Sequence, residues 1–330
     1  FKGNCSDVPR RCKKVRRDEW MSAKGPRIKV TSRSFSRHPI LTQELIDLFP
    51  NTVFNPDGPE TGLPNLVEFL SDANGVILGL ETCDRALLAQ LDNLKMVAKY
   101  GVGLDNLDID AARDLGISVG WTGGINKRSV SEQALAFMIG LSRNIFSSSL
   151  RLKSGQWHKE GGAQLTGKCV GIIGCGHIGQ DLIHLLQPFR CRILINDIVE
   201  KNLVTDTYGA IQVTKEDLIR EADFISLHVP LTDLTHQLVN QSFLSQMKAS
   251  AFLINTSRGP VVEQAALKKA LQQKAIAGAA LDVFESEPPD DLEFLGLPNL
   301  IPTSHIGGNA EEAILAMGRS AIEHLRLFFS

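Results

Sequence analysis

From residue 27 onward, short apolar runs alternate with segments whose apolar residues recur at helical spacing. "RIKVT" (27–31), "GVILG" (75–79), "KMVAK" (95–99) and "ISV" (117–119) read as strands; "LTQELIDLF" (41–49), "DRALLAQL" (84–91) and "DIDAARDL" (108–115) read as helices. The Pro- and Gly-rich stretch 55–64 is predicted to be a loop. A longer helical segment follows at 129–152, and Ser129 with Glu132 three positions on predicts a capping box at its start. A second series then begins, with strands at 168–173, 191–196, 224–229, 251–256, 277–283 and 299–304. Helices are predicted between them at 177–188, 215–222, 240–248 and 262–274, and a last helix at 310–329. Short continuous apolar runs suit parallel strands buried on both faces, so the fold class is α/β. Two such series around a long helix predict two doubly wound parallel-sheet domains with a ligand cleft between them, at the carboxyl ends of the strands.

Composition narrows the partners. The chain has 330 residues, 43% hydrophobic and 22% charged, with a formal net charge of −2, which argues against a nucleic acid or a membrane surface as partner. Charge is uneven: residues 1–20 carry seven Lys or Arg against three acids, a net of +4, which leaves −6 for the rest. Residues 1–24 are expected to be a disordered extension. No apolar run reaches the ~18 residues of a membrane span, and the basic start is not followed by the apolar stretch of a secretory signal. The six cysteines show no C-x-x-C pair and no zinc spacing, so no metal site is expected; free thiols in apolar runs suit a reducing cytoplasm.

The clearest chemical motif is "VGIIGCGHIG", which places Gly174, Gly176 and Gly179 in G-x-G-x-x-G between a strand and a helix. Such a turn lets backbone N–H groups and a helix N-terminus meet a pyrophosphate. Asp197 ends the next strand, where a carboxylate would accept hydrogen bonds from ribose hydroxyls and repel a 2′-phosphate, so NAD is the expected cofactor. Three further polar residues follow successive strands: Arg258 in "NTSRGP", Glu287 in "DVFESEPP" and His305 in "TSHIGG". Parallel strands put those ends on one edge. An Arg fork would hold the carboxylate of a 2-oxo acid, a His would exchange the proton of the alkoxide, and a Glu on the far ring nitrogen would hold the His in one tautomer.

With these motifs and "KYGVGLDNLD" (99–108), "HVPLTDLT" (228–235), "INTSRGPVV" (254–262) and "ALDVFESEP" (280–288), the chain from about residue 27 resembles the D-isomer-specific 2-hydroxyacid dehydrogenases. The resemblance implies two Rossmann- and flavodoxin-like domains: a substrate domain of 25–120 plus 306–330 and an NAD domain of 121–305. It implies that Arg258 binds substrate, that His305 is the acid–base and that Glu287 is its partner. It places the backbone of His177 and Ile178 at the pyrophosphate, Asp282 at the nicotinamide carboxamide, and Pro230 and Thr256 at the cofactor. It also places the backbone of Val102 and Gly103 at the substrate carboxylate, and a homodimer contact along the helix from 129. The implied partner is a small 2-hydroxy or 2-oxo acid, with phosphoglycerate dehydrogenase-like and glyoxylate or hydroxypyruvate reductase-like activities as candidates. The stretch Gly79, Leu80, Glu81 lacks an Arg that similar phosphoglycerate enzymes often carry, so phosphoglycerate is one candidate among several. The chain's end after the last helix predicts no C-terminal regulatory domain. The same resemblance leaves open an alternative class, an NAD(H)-sensing binding protein or corepressor-like scaffold of the same fold.

Overall fold

The strands of the chain, in a computed structural model that describes residues 25–57 and 63–330, collect into two parallel sheets. The extension expected at 1–24 and the middle of the loop expected at 55–64 lie outside the described residues. The described residues up to Thr122, together with Leu315–Ser330, form one unit, and Gly123–Ile314 the other.

In the first unit, β1 (Ile28–Val30), β2 (Thr52–Phe54), β3 (Gly75–Leu78), β4 (Met96–Lys99) and β5 (Ser118–Gly120) lie in the order β2-β1-β3-β4-β5, all parallel. Helices α1 (Arg33–Ser36), α2 (Pro39–Leu48), α3 (Leu63–Leu70), α4 (Arg85–Leu88) and α5 (Ile109–Asp114) join them. Local chemistry sets the starts of the short ones: the Asp84 side chain accepts from Leu87 N at 2.9 Å and that of Asp108 from Ala111 N at 2.7 Å, each taking up an N–H that the first turn leaves unpaired. Leu78, Val97, Leu107 and Ala111 belong to the core that these helices close over the sheet. The order reverses between β1 and β3, and a sheet of this kind takes ligands at such a switch point.

In the second unit, β6 (Cys169–Ile173), β7 (Arg192–Asn196), β8 (Ile211–Gln212), β9 (Phe224–Leu227), β10 (Phe252–Asn255), β11 (Gly278–Leu281) and β12 (Leu300–Pro302) form the order β12-β11-β10-β9-β6-β7-β8, again parallel. This is the doubly wound dinucleotide-binding order, with its switch point between β6 and β9. Strand residues alternate between two cores: Ile173, Leu227, Leu253 and Leu281 enter one, and Val170, Ile172, Phe224 and Ile254 the other. Both faces are covered, which is why these strands read as unbroken apolar runs. The helices are α6 (Lys127–Ser142), α7 (Ile145–Lys153), α8 (His177–Leu186), α9 (Asn202–Tyr208), α10 (Lys215–Glu221), α11 (Gln241–Gln246), α12 (Gln264–Gln272) and α13 (Leu292–Leu295). The last helix, α14 (Glu311–Phe329), returns to the first unit. There Gly318 lets it press on Leu41, where a Cβ would lie 2.3 Å from the Leu41 side chain, and Arg319 pairs with Glu44 at 2.8 Å.

Two local expectations are corrected. The segment 129–152 is two helices, because Asn144 takes a left-handed conformation (φ 53°) that breaks the run and turns the Phe146 ring onto Gly140. The capping box is absent: α6 begins at Lys127, two residues before Ser129, and the Ser129 hydroxyl instead donates to the backbone oxygen of Gly307. The strands β2 and β8 and the helices α1, α3, α9 and α13 were not predicted; β8 has two residues and β2 three, too short for an alternation to register.

Candidate active site

The glycine turn after β6 shows why each glycine is needed. Gly174 has φ +88°, and a Cβ on it would lie 2.5 Å from the carbonyl oxygen of His228, so the turn closes against the end of β9. A Cβ on Gly179 would lie 2.5 Å from the oxygen of Gly174, so α8 could not pack on its own strand. Nothing stands within 4 Å of a Cβ built on Gly176, which leaves the backbone there open to approach. Gly176 is also the N-cap of α8 and brings no side chain to the first turn, so the N–H groups of His177 and Ile178 face outward without a cap. That is the donor arrangement a pyrophosphate requires. The His177 ring leans on Gly124, where a Cβ would lie 2.3 Å from its Cγ.

Asp197, just past the carboxyl end of β7, ties the turn to its neighbour. Its Oδ2 accepts from Cys175 N at 2.8 Å and from Lys201 Nζ at 3.3 Å, and its Oδ1 from Val199 N at 2.9 Å. A carboxylate offers about four acceptor positions, so room remains for a ribose hydroxyl. Thr256, after β10, is buried with its hydroxyl oxygen unpartnered among the described residues, a group that calls for a polar ligand. The exposed backbone at Gly176, the uncapped N–H groups and this orphaned hydroxyl fit a dinucleotide. Pro230 is exposed just after β9. At the same strand end His228 bonds Ser226 Oγ through Nε2 at 2.8 Å; its Nδ1 is buried without a partner among the described residues, and burial pushes the ring down to about 4.

The three charged residues follow β10, β11 and β12. His305 Nδ1 donates to Glu287 Oε2 at 2.7 Å, with the two side chains 48% and 38% exposed. A pair so open to water contributes about 0–1 kcal/mol at most to stability, so its value lies in fixing the ring, with Nε2 unpartnered among the described residues. Arg258 is half-buried and stands at the start of a 3-10 turn, Gly259–Val261. Its Nη1 donates to the oxygen of Ser257 at 2.7 Å, while Asn255 Nδ2 donates to the Arg258 oxygen at 2.9 Å. Gly259 presses on the loop that carries Glu287: a Cβ there would lie 1.8 Å from the Phe284 oxygen. In that loop Phe284 N donates to Glu287 Oε1 at 3.1 Å. Glu287 and His305 are therefore in contact, and the Arg258 loop abuts the loop of Glu287.

Asp282 is buried, 1% exposed, and its carboxylate is engaged within the protein. Oδ1 accepts from Gln133 Nε2 at 3.0 Å, from Ile306 N at 2.9 Å and from Thr303 Oγ1; Oδ2 accepts from Gly307 N at 2.8 Å. His305 N donates to the Asp282 backbone oxygen at 2.9 Å, and His305 itself is left-handed, φ 53°. Asp282 thus clamps the turn that presents His305. Gln133, Thr303 and Lys201 were not singled out in the sequence; Gln133 lies 149 positions from Asp282, and no local spacing signals such a contact. Val102 and Gly103 follow β4 in the first unit, where Trp121 Nε1 donates to Val102 O at 2.9 Å. Among the described residues no group of three or more His, Cys, Asp or Glu is placed to hold a metal ion, and no helix is long and apolar enough to cross a membrane.

Comparison with known proteins adds the chemical context. Residues 135–307 match the family described as "D-isomer specific 2-hydroxyacid dehydrogenase, NAD binding domain". A glyoxylate reductase of Thermococcus litoralis is 37% identical over 284 residues, 83% of this chain and 85% of that protein. A D-3-phosphoglycerate dehydrogenase of Methanocaldococcus jannaschii is 36% identical over 81% of this chain but 52% of its own length. Among solved structures, D-lactate dehydrogenase of Aquifex aeolicus, complexed with NAD and lactic acid, superposes with a TM-score of 0.80 at 25% identity, covering 91% of this chain and 95% of the other.

Proposed function

The chain belongs to the D-isomer-specific 2-hydroxyacid dehydrogenase family and is an NAD-dependent oxidoreductase of 2-hydroxy acids; from this premise we propose that Arg258, Glu287 and His305 interconvert a small D-2-hydroxy acid and its 2-oxo acid. The observation that carries the reading is the 2.7 Å contact from His305 Nδ1 to Glu287, which leaves Nε2 to exchange the proton. NADH, when bound, supplies the hydride to the carbonyl carbon. His305 gives its Nε2 proton to the carbonyl oxygen in the same reduction and takes it back in the oxidation. Glu287 holds the ring in the tautomer this needs. Arg258 grips the substrate carboxylate and polarises the carbonyl with its planar fork. Gly174, Gly176, His177, Ile178 and Gly179 would receive the pyrophosphate, Asp197 the ribose, and Pro230 and Thr256 the nicotinamide half; for Asp282, whose carboxylate already takes four donors, the support for a nicotinamide contact is the resemblance alone. For Val102 and Gly103 as holders of the carboxylate, the support is the resemblance alone.

The first unit is taken as the substrate-binding domain and the second as the NAD-binding domain. Relatives named glyoxylate reductase and hydroxypyruvate reductase favour a substrate of two or three carbons. A homodimer through the α6–α7 region is supported by Ile145, Phe146, Leu150 and Leu152 of α7, which are 41–69% exposed and too apolar as a group for a free surface. Free thiols at Cys83, Cys169, Cys175 and Cys191 support a cytoplasmic setting.

The test is NADH oxidation with glyoxylate, hydroxypyruvate, pyruvate and phosphohydroxypyruvate, in wild type and Arg258→Ala. Loss of a bidentate charge-assisted grip predicts a fall in kcat/KM on the order of a thousandfold, with NADH affinity kept within about threefold. Turnover of none of the acids overturns the reading, and a mutant that keeps most of its rate removes Arg258 from it.

A further inference from the structure

At the carboxyl edge of the first sheet, the switch point between β1 and β3 brings Thr31 and Ser32 against Gly79. A Cβ on Gly79 would lie 2.9 Å from Ser32 Cβ and 3.1 Å from Glu81 Oε2, so glycine permits the close approach. Two donors sit here in the place where a ligand of such a fold is received: the hydroxyl of Thr31 and the backbone N–H of Gly79. Both are taken by the protein's own carboxylate. Thr31 Oγ1 donates to Glu81 Oε2 at 2.6 Å, and Gly79 N donates to the same oxygen at 3.0 Å.

The arrangement is held from behind. Asn106 Nδ2 donates to Glu81 O at 2.6 Å and to Gly79 O at 3.1 Å, and the buried Lys99 ammonium donates to Gly79 O and, at 2.8 Å, to Asn106 Oδ1. Glu81 itself is half-buried, its second oxygen, Oε1, has no partner among the described residues, and Leu80 beside it is 89% exposed. An incoming phosphate or carboxylate would meet occupied donors and a like charge at a few ångströms. An uncharged group bearing a hydroxyl would meet a fixed acceptor, Oε1, and an apolar lip, Leu80.

We propose that Glu81 is a specificity-determining residue: it fills the anion position at the β1/β3 switch point, so that the edge accepts 2-oxo acids whose far group is uncharged or hydroxyl-bearing and turns away those with a second anion. The inference rests on the functional reading above. It selects hydroxypyruvate and glyoxylate over phosphohydroxypyruvate and oxaloacetate.

The experiment compares kcat/KM for these four acids with NADH in the wild-type chain, Glu81→Gln and Glu81→Ala, each checked for a cooperative thermal transition. Gln keeps an oxygen to accept from Thr31 and Gly79 and removes the charge; Ala removes the carboxylate altogether and leaves Thr31 and Gly79 N only their longer bonds, to Ile77 O at 3.3 Å and to Thr31 Oγ1 at 3.2 Å, so either variant decides the question if the other fails to fold. The expected result is a rise of at least about tenfold in the ratio of kcat/KM for oxaloacetate or phosphohydroxypyruvate over that for glyoxylate. Wild-type turnover of glyoxylate with that ratio moved less than about threefold in the folded variant overturns the role of Glu81 and leaves the enzyme assignment standing. No turnover of any acid by the wild type overturns the functional reading, and this inference with it.

Discussion

Asp282→Asn tests whether the His305 turn is clamped as the structure indicates. The carboxylate accepts four hydrogen bonds, three on Oδ1 from Gln133, Thr303 and Ile306 and one on Oδ2 from Gly307 N at 2.8 Å. Asn can present its oxygen to the first three, but its NH2 then faces the N–H of Gly307, donor against donor. A buried N–H left unsatisfied costs about 1–3 kcal/mol, and the three remaining bonds lose their charge assistance, roughly 0.5 kcal/mol or more each. The sum is about 3 kcal/mol. For a unit of this size that is about 6–12 °C of Tm. His305 sits in the left-handed region, which costs of order 1 kcal/mol for a residue other than glycine, so a loosened clamp also lets the turn relax and lowers kcat. The assay is thermal unfolding without NADH, which separates the clamp from any contact Asp282 makes with the cofactor. An apo Tm within about 2 °C of wild type, well under the shift expected from the lost bonds, would refute the reasoning.

Two further predictions concern buried titrating groups. Burial pushes the Cys83 thiol up to about 12 and the Cys175 thiol up to about 11, so iodoacetamide at about pH 8 should leave both unmodified in the folded protein, and peptide mass spectrometry showing alkylation at the rate of a free cysteine would contradict this burial. Burial lowers His228 to about 4 from the ordinary 6.5, so the unfolded chain takes up a proton below pH 6.5 that the folded ring refuses: the stability is present above pH 6.5 and is lost as the pH falls toward 4, by up to ~3 kcal/mol. His324 is also lowered by burial and adds to the wild-type slope, so the measurement is the difference between wild type and His228→Gln in apo Tm between about pH 7 and about pH 5, a window that spans the ordinary histidine range; equal slopes would sink the assignment. The carboxyl of Asp181 acts lower still: burial pushes it up, but hydrogen bonds from Arg128 and Ser131 bring it below its usual value, and its contribution is present above about pH 4 and fades below.

What the sequence made legible follows from how far apart the cooperating residues are. Gly174, Gly176 and Gly179 sit within six positions of one another, and the geometric reason for each is local to one turn, so their pattern could be read directly. The doubly wound sheets were legible because strands buried on both faces leave continuous apolar runs, whereas β8 and β2 are too short to do so. The capping box at Ser129 fails because a Ser three positions before a Glu carries the same signal whether the hydroxyl caps its own helix or, as here, reaches Gly307 across 178 positions. The break at Asn144 is hidden for a related reason: Phe146 keeps the helical spacing of apolar residues while its ring is turned onto Gly140.

The same distance rule bears on the catalytic end of the molecule. Arg258, Glu287 and His305 could be picked out because each is followed by Gly or Pro after an apolar strand. The hold that Asp282 exerts on the His305 backbone leaves no such mark. The resemblance implies a cofactor role for Asp282 and nothing of this hold, and its four donors come from a helix 149 positions away and from the turn after β12. The side chains proposed to touch substrate lie at strand ends and leave a local signature, whereas those that hold them in place are recruited from anywhere in the unit. Mutations of Gln133 and Thr303, which no spacing marks, are for that reason expected to act on kcat through the His305 turn.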